Sequence, residues 1–204
     1  MLLMTDIHVR SFTGSHLKPY AHSVAKLRSE VLKEYPYYKE VDLAHELEEI
    51  KRVTSCKDAI GVLISDSSIL VGASLGYPLS LCEPALCAPF IEQGIDLATF
   101  FYFSEPVLLK PYRGRGMKHH FFDTAETYVL QHKKFTHTCF ITPLHAEGES
   151  QQPDDFFPLY DFWRKRGYVQ ASEMQCHLSW KEVHKAAAID HTMTVWIKEL
   201  PERC

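Results

Sequence analysis

The chain has 204 residues, a formal net charge of −4, 46% hydrophobic and 24% charged residues, which is the composition of an ordinary globular protein and not of a disordered tract. Its length is that of one domain with a substantial core, so a single domain over 1–204 is expected. A slightly acidic chain argues against non-specific nucleic-acid binding as the main role, no run approaches the roughly 18 apolar residues of a membrane span, and "MLLMTDIHVR" lacks the basic start of a signal peptide, so a cytoplasmic setting without nucleic acid or membrane is expected.

"DIHVRSF" alternates apolar and polar residues and reads as a first strand. Leu17, Tyr20, Val24, Leu27 and Val31 recur at three- and four-residue intervals, one face of a helix that ends before "EYPYYKE", where Pro36 disfavours helical geometry at Tyr35. Leu43, Leu47, Ile50 and Val53 repeat that spacing and predict a second helix with Glu46, Glu48, Glu49 and Lys51 turned to solvent. "AIGVLIS" and "ILVGASLGYPL" form a hairpin around "DSS". "CEPALCAPFIEQGID" reads as an irregular crossing with room for one short helix. A long fourth strand follows, "TFFYFSEPVLL", in which Pro106 cannot donate to a ladder, so an edge, a bulge or a splay is expected there.

From Gly116, helical spacing through Met117, Phe121, Ala125, Tyr128 and Val129 predicts about four turns ending near His132. "THTCFIT" is a strand, "LHAEGESQQPDD" a polar surface loop, and "FPLYDFWRKRG" a short helix closed by Gly167. "YVQASEMQCHLSW" and "TMTVWIKEL" make two closing strands joined by "KEVHKAAAID". The six cysteines are scattered, with no Cys-x-x-Cys pair, and the twelve histidines lack ligand spacing, so reduced thiols and no metal are expected.

The most informative stretch is "LLKPYRGRGMKHHFF", residues 108–122, which gathers Lys110, Arg113, Arg115, Lys118, His119 and His120 without an acid. A strand, a tight basic glycine turn and a helix N-terminus together suit a phosphate group, because the first helical amides are unpaired and glycine lets the backbone come close. A Walker loop is excluded, since no Gly-Lys-Ser/Thr follows, and His119 stands where a dinucleotide fingerprint needs its third glycine.

"YRGRGM" after a strand and before an amphipathic helix resembles the pyrophosphate loop of the GNAT N-acetyltransferases, Arg/Gln-x-x-Gly-x-Gly/Ala, with Arg113 and Gly116 matching and Lys118 in the last small position. "FWRKRGYV" is similar to that family's late helix and Gly-aromatic pair, and the order of elements agrees over nearly all of residues 5–200. The resemblance implies an α/β (α+β) fold, a mixed, mostly antiparallel twisted sheet of six to seven strands flanked by about four helices, splayed between strands 4 and 5. It implies acetyl-CoA as cosubstrate, held by Val107, Leu108 and Leu109 along the pantetheine arm, by Arg113, Gly114, Arg115, Gly116, Met117 and Lys118 at the pyrophosphate, and beside Phe162 and Trp163.

Backbone amides around Val107–Leu109 are the expected oxyanion donors. Glu105 is the expected general base, in an apolar neighbourhood that would raise its pKa. The family's usual acid, a tyrosine four residues before the late glycine, is replaced by Trp163, which has no proton to give, so Tyr160 one turn earlier is the substitute candidate. Tyr35, Tyr37 and Tyr38 fall where the resemblance places the acceptor pocket. The expected protein is a monomeric or homodimeric N-acetyltransferase of a small amine or amino-acid-like acceptor. The alternatives are a CoA-binding sensor or scaffold, acetylation of a protein amine, and a different acyl donor.

Overall fold

The computed structural model describes residues 6–144, 153 and 159–201. The polar segment expected as a loop at 145–152 and the start of the late helix at 157–158 lie outside the described residues. The elements in chain order are β1 (Ile7–Thr13), α1 (Ala21–Val31), α2 (Leu43–Thr54), β2 (Ile60–Asp66), β3 (Ile69–Pro78), α3 (Pro84–Glu92), β4 (Phe100–Phe103), β5 (Val107–Leu108), α4 (Met117–Leu130), β6 (His137–Pro143), α5 (Tyr160–Lys165), β7 (Val169–Lys181) and β8 (Ala188–Glu199). They build one mixed sheet in the order β1-β2-β3-β4-β6-β8-β7, with β5 paired to β3 off that path. Every pairing is antiparallel except β4 with β6.

Eight strands and five α-helices are described, against six to seven and about four expected. The extra strand arises because the long fourth strand divides into β4 and β5, and the extra helix is α3, whose Pro84 sits in the first turn where a missing N–H does no harm. The first helix also starts later than Leu17. Gly14–Tyr20 is a 3-10 stretch with Pro19 inside it, and α-helical bonding begins at Ala21. The last strand starts earlier than Thr192, because Lys181 already pairs with Ala188 across the loop 182–187.

Strand alternation sorts the core into two faces. On one face Phe121, Phe122, Ala125 and Val129 of α4 and Trp163 of α5 pack on Ile60, Val62, Phe101, Phe103, Phe140 and Trp196. On the other, α1 and α2 cover Leu63, Ala73, Leu75 and Val107. Beside them Leu86 and Phe90 of α3 cover Phe100, Tyr102, Cys139 and Ile141. Each such aliphatic or aromatic burial contributes about 1.5–3 kcal/mol, so the two faces hold the sheet without disulfides; the five described cysteines are free thiols.

Gly72 shows how tightly the short strand β5 is seated. It stands opposite Leu108, and a Cβ at Gly72 would lie 2.8 Å from Leu108 Cδ1 and 3.0 Å from the Phe121 ring. Gly72→Ala should therefore destabilise the protein by about 1–3 kcal/mol, the usual range for overpacking. A lowered urea midpoint with an unchanged slope is the expected reading.

Candidate active site

The break in the fourth strand organises the site. β4 pairs with β6 only from Phe100↔His137 to Tyr102↔Cys139; beyond that, β5 stays on β3 while β6 continues on β8. The registers of β4 and β5 against β3 differ by one residue, from Gly76↔Phe103 to Ala73↔Val107, so Ser104–Pro106 is a bulge. Ser104 secures it, with its amide donating to the Leu75 carbonyl at 2.8 Å and its hydroxyl accepting from the Leu75 amide at 3.2 Å.

Past the bulge, the Leu109 amide donates to the Val71 carbonyl at 2.9 Å, which removes it from the expected donors. Because alternate peptide groups of an antiparallel strand point to opposite sides, the Leu108 N–H then points away from β3 and into the gap beside β6. The Leu108 carbonyl, on the same side, accepts from Arg113 Nε at 2.9 Å. Val107 is buried under α1.

Glu105, projecting from the bulge, meets an unexpected partner. Arg28 of α1, itself only 9% exposed, donates from Nη2 to Glu105 Oε1 at 2.7 Å, from Nη1 to the Glu105 carbonyl at 3.5 Å, and from Nε to Glu46 of α2. Glu46 is therefore buried, correcting its assignment to solvent: Glu46, Ile50 and Val53 form the inward stripe while Leu43 is exposed. Burial pushes the Glu105 carboxyl up, but Arg28, the residue's own backbone amide and Lys39 outweigh it and hold the group below its ordinary 4.5. This corrects the expectation of an apolar setting with a raised pKa.

Tyr37 lies beside Glu105 and Arg28, whereas Tyr35 and Tyr38 meet edge to face at 5.8 Å and Tyr38 turns toward His184. Tyr77 of β3 and Tyr102 of β4, 5.5 Å apart, complete an aromatic surround. Burial first, and the Glu105 charge among the further causes, push all three phenols up, so Tyr37, Tyr77 and Tyr102 stay protonated. The segment carrying Tyr37 is stitched to the β7–β8 hairpin: Trp180 Nε1 donates to the Tyr37 carbonyl at 2.9 Å, and the amides of Glu40 and Val183 donate across at 2.7 Å.

At the other end of β5 lies the basic turn. Gly114 and Gly116 have φ of 73° and 77°, a left-handed shape that suits glycine, and nothing lies within 4 Å of where their Cβ atoms would be. Among the described residues, the amides of Arg115, Gly116, Met117 and Lys118 at the start of α4 have no backbone acceptor. Arg115 is exposed, and Lys118 Nζ sits 4.5 Å from the Phe162 ring, with His119 edge-on to the same ring at 5.0 Å. Arg113 instead turns back, its Nη1 binding Glu34 Oε2 at 2.6 Å. Met117 packs on the core.

No family model and no curated protein matches the chain by sequence. Solved structures do match over nearly its whole length. A GNAT-family acetyltransferase from Streptococcus pneumoniae is 9% identical with a TM-score of 0.59, covering 96% of this chain and 100% of that one. Ribosomal-protein-alanine N-acetyltransferase from Brucella melitensis is 10% identical with a TM-score of 0.60, covering 95% and 99%. A Salmonella typhimurium protein solved with its cofactor acetyl-CoA is 8% identical with a TM-score of 0.60, covering 98% and 96%. The chain has the GNAT acetyltransferase fold.

In this GNAT fold the late helix α5 carries Trp163 into the aromatic core. Trp163 is 9% exposed and packed among Phe140, Tyr160 and Trp196, and its Nε1 has no hydrogen-bond partner among the described residues. Tyr160 stacks on Trp196 at 5.7 Å. Arg28, Glu46, Tyr77 and Tyr102 are site residues that the sequence reading missed. Arg28 follows Val24 by four and Glu46 precedes Ile50 by four, so helical spacing puts both next to buried positions.

The Glu105 carboxyl, held low in the folded chain, contributes stability that is fully present above its ordinary 4.5 and is lost as the pH falls through the folded value. Wild-type Tm should therefore drop on acidification below about pH 5. Glu105→Gln should start lower at neutral pH and fall less steeply over the same range, as followed by circular dichroism melts.

Proposed function

We propose that the chain is an acetyl-CoA-dependent N-acetyltransferase that moves the acetyl group directly to a primary amine of a small or amino-acid-like acceptor in a ternary complex. One observation carries the reading: a strand break that turns the Leu108 N–H into a gap continues, a few residues later, into a helix start whose amides lack acceptors. The first suits a thioester carbonyl and the second a pyrophosphate.

The residues present fit acetyl-CoA. Left-handed glycines leave the backbone cradle open, Arg115 and Lys118 have no acid partner among the described residues, and Phe162 closes one side. When bound, acetyl-CoA supplies an activated acetyl group. In this proposal the Leu108 amide polarises its carbonyl, the basic turn neutralises phosphate charge, and Glu105 receives the acceptor ammonium or the water that carries its proton away. Tyr37, Tyr77 and Tyr102 surround that ammonium with ring faces and protonated hydroxyls. The leaving thiolate takes its proton from Tyr160, whose ring stacks on Trp196, or from water, which an ordinary thiol pKa of about 8.5 permits.

Calorimetric titration with acetyl-CoA, CoA and dephospho-CoA, followed by thiol release against an amine library, tests the reading. Binding with amine-dependent release supports it, binding without release favours the sensor alternative, and absence of binding sinks it. Arg115→Ala with Lys118→Ala should weaken CoA binding, with a loss that shrinks as salt rises. Arg113→Ala should weaken it with little salt dependence, because Arg113 shapes the turn through Leu108 and Glu34. Glu105→Gln should lower kcat by about 10²–10⁴-fold with acetyl-CoA affinity unchanged.

A further inference from the structure

Three separate parts of the chain converge on one guanidinium. Arg28 spends Nε on Glu46 and both Nη atoms on Glu105, one on the carboxylate and one on the main-chain carbonyl. The grip falls within the bulge Ser104–Pro106, where the backbone has stepped out of its β3 register and its β6 partner has departed. A planar fork that holds both a side chain and its own carbonyl fixes position and orientation together.

A structural role alone does not account for this arrangement. Arg28 and Lys39 face the two carboxylates among half-buried and buried groups, yet apolar side chains of similar size fill such space at least as stably. Glu105 Oε1 is taken by Arg28, while Oε2 has no side-chain partner among the described residues. The groups facing Glu105 are Arg28 on α1, Tyr37 and Lys39 on the α1–α2 connection, Tyr77 on β3 and Tyr102 on β4, with Glu46 on α2 behind Arg28. The carboxylate is thus clamped by Arg28 through Oε1, and its side chain keeps 23% exposure.

We propose that Arg28 is a positioning residue for the transfer reaction: it clamps Glu105 by one oxygen and its carbonyl so that the other oxygen is presented, as a carboxylate, to the acceptor's ammonium. The proposal rests on the reading of Glu105 as the proton acceptor of an N-acetyltransferase. Arg28 itself stays with its two acids and is not expected to touch the acceptor. Glu46 sets how strongly Arg28 leans on Glu105.

The test reads Glu105 directly, by a carbon-13 titration of the glutamate carboxyls in the full chain, with Glu105→Gln identifying the resonance. Arg28→Met should move the Glu105 titration upward by about one pH unit or more. Arg28→Lys, whose single ammonium cannot fork to both acids, should give a smaller upward shift, and Glu46→Gln should move it downward. With an amine found by thiol release, Arg28→Met should add an acidic limb to the kcat profile while leaving acetyl-CoA affinity unchanged, and Arg28→Lys should restore part of the turnover.

A Glu105 titration unmoved in folded Arg28→Met and Arg28→Lys overturns the proposal. If Arg28→Met loses its near-ultraviolet dichroism, the opposite shifts of Arg28→Lys and Glu46→Gln decide: both present support it, neither present overturns it. Shifts as expected, with Glu105→Gln fully active on the same amine, would uphold the clamp and overturn the assignment of Glu105 as proton acceptor.

Discussion

Everything at the site depends on how briefly β4 and β6 stay together. Their parallel pairing lasts three residues, and the segment after it lacks the means to continue: Pro106 has no N–H, and the Ser104–Pro106 bulge turns the backbone to a new register on β3. The peptide group of Leu108 is left facing a gap instead of a neighbouring strand. The same divergence lets Glu105 reach down to α1, and it brings β5 out toward the basic turn that starts α4.

Such a gap weakens a sheet unless both sides are held from outside. The aromatic layer under α4 and α5 does this on one face, where Phe101 and Phe103 on the β4 side and Phe140 and Trp196 on the β6 side share one cluster with Phe122 and Trp163. On the opposite face α1, α2 and the Arg28 ion group hold β5 and the bulge, while α3 holds β4 and β6. Among the described residues, the α1–α2 connection and the β7–β8 hairpin meet beside this gap.

The architecture was largely legible in the sequence because it follows apolar periodicity. The stripes at Val24 to Val31 and at Ile50 to Val53, and the buried run "FFYF", specify helix faces and a central strand with little help from the rest of the chain. Pro106 announced the break, and the glycine pair announced the turn. Polar residues on buried faces were harder to read. Glu46 looks like its neighbours Glu48 and Glu49, and its position both four residues before Ile50 and seven before Val53 separates it from them. Arg28 and Glu46 are 18 residues apart and both lie far from Glu105, so no local pattern connects them. Trp163, singled out by its motif position, packs in the core cluster.

The stitching of Tyr38 to Val183 and of Lys39 to Glu182 joins two loops from opposite ends of the chain into one rim. Neither loop belongs to β5 or to the basic turn. In the proposed enzyme this rim faces the acceptor and meets the basic turn through the Glu34–Arg113 pair at its edge, so changes confined to the rest of the rim bear first on which molecules enter. On the proposed function, the rim is the part that would drift toward new acceptors, and an engineer seeking a different acceptor would vary residues 35–40 and 182–187 together, as one unit.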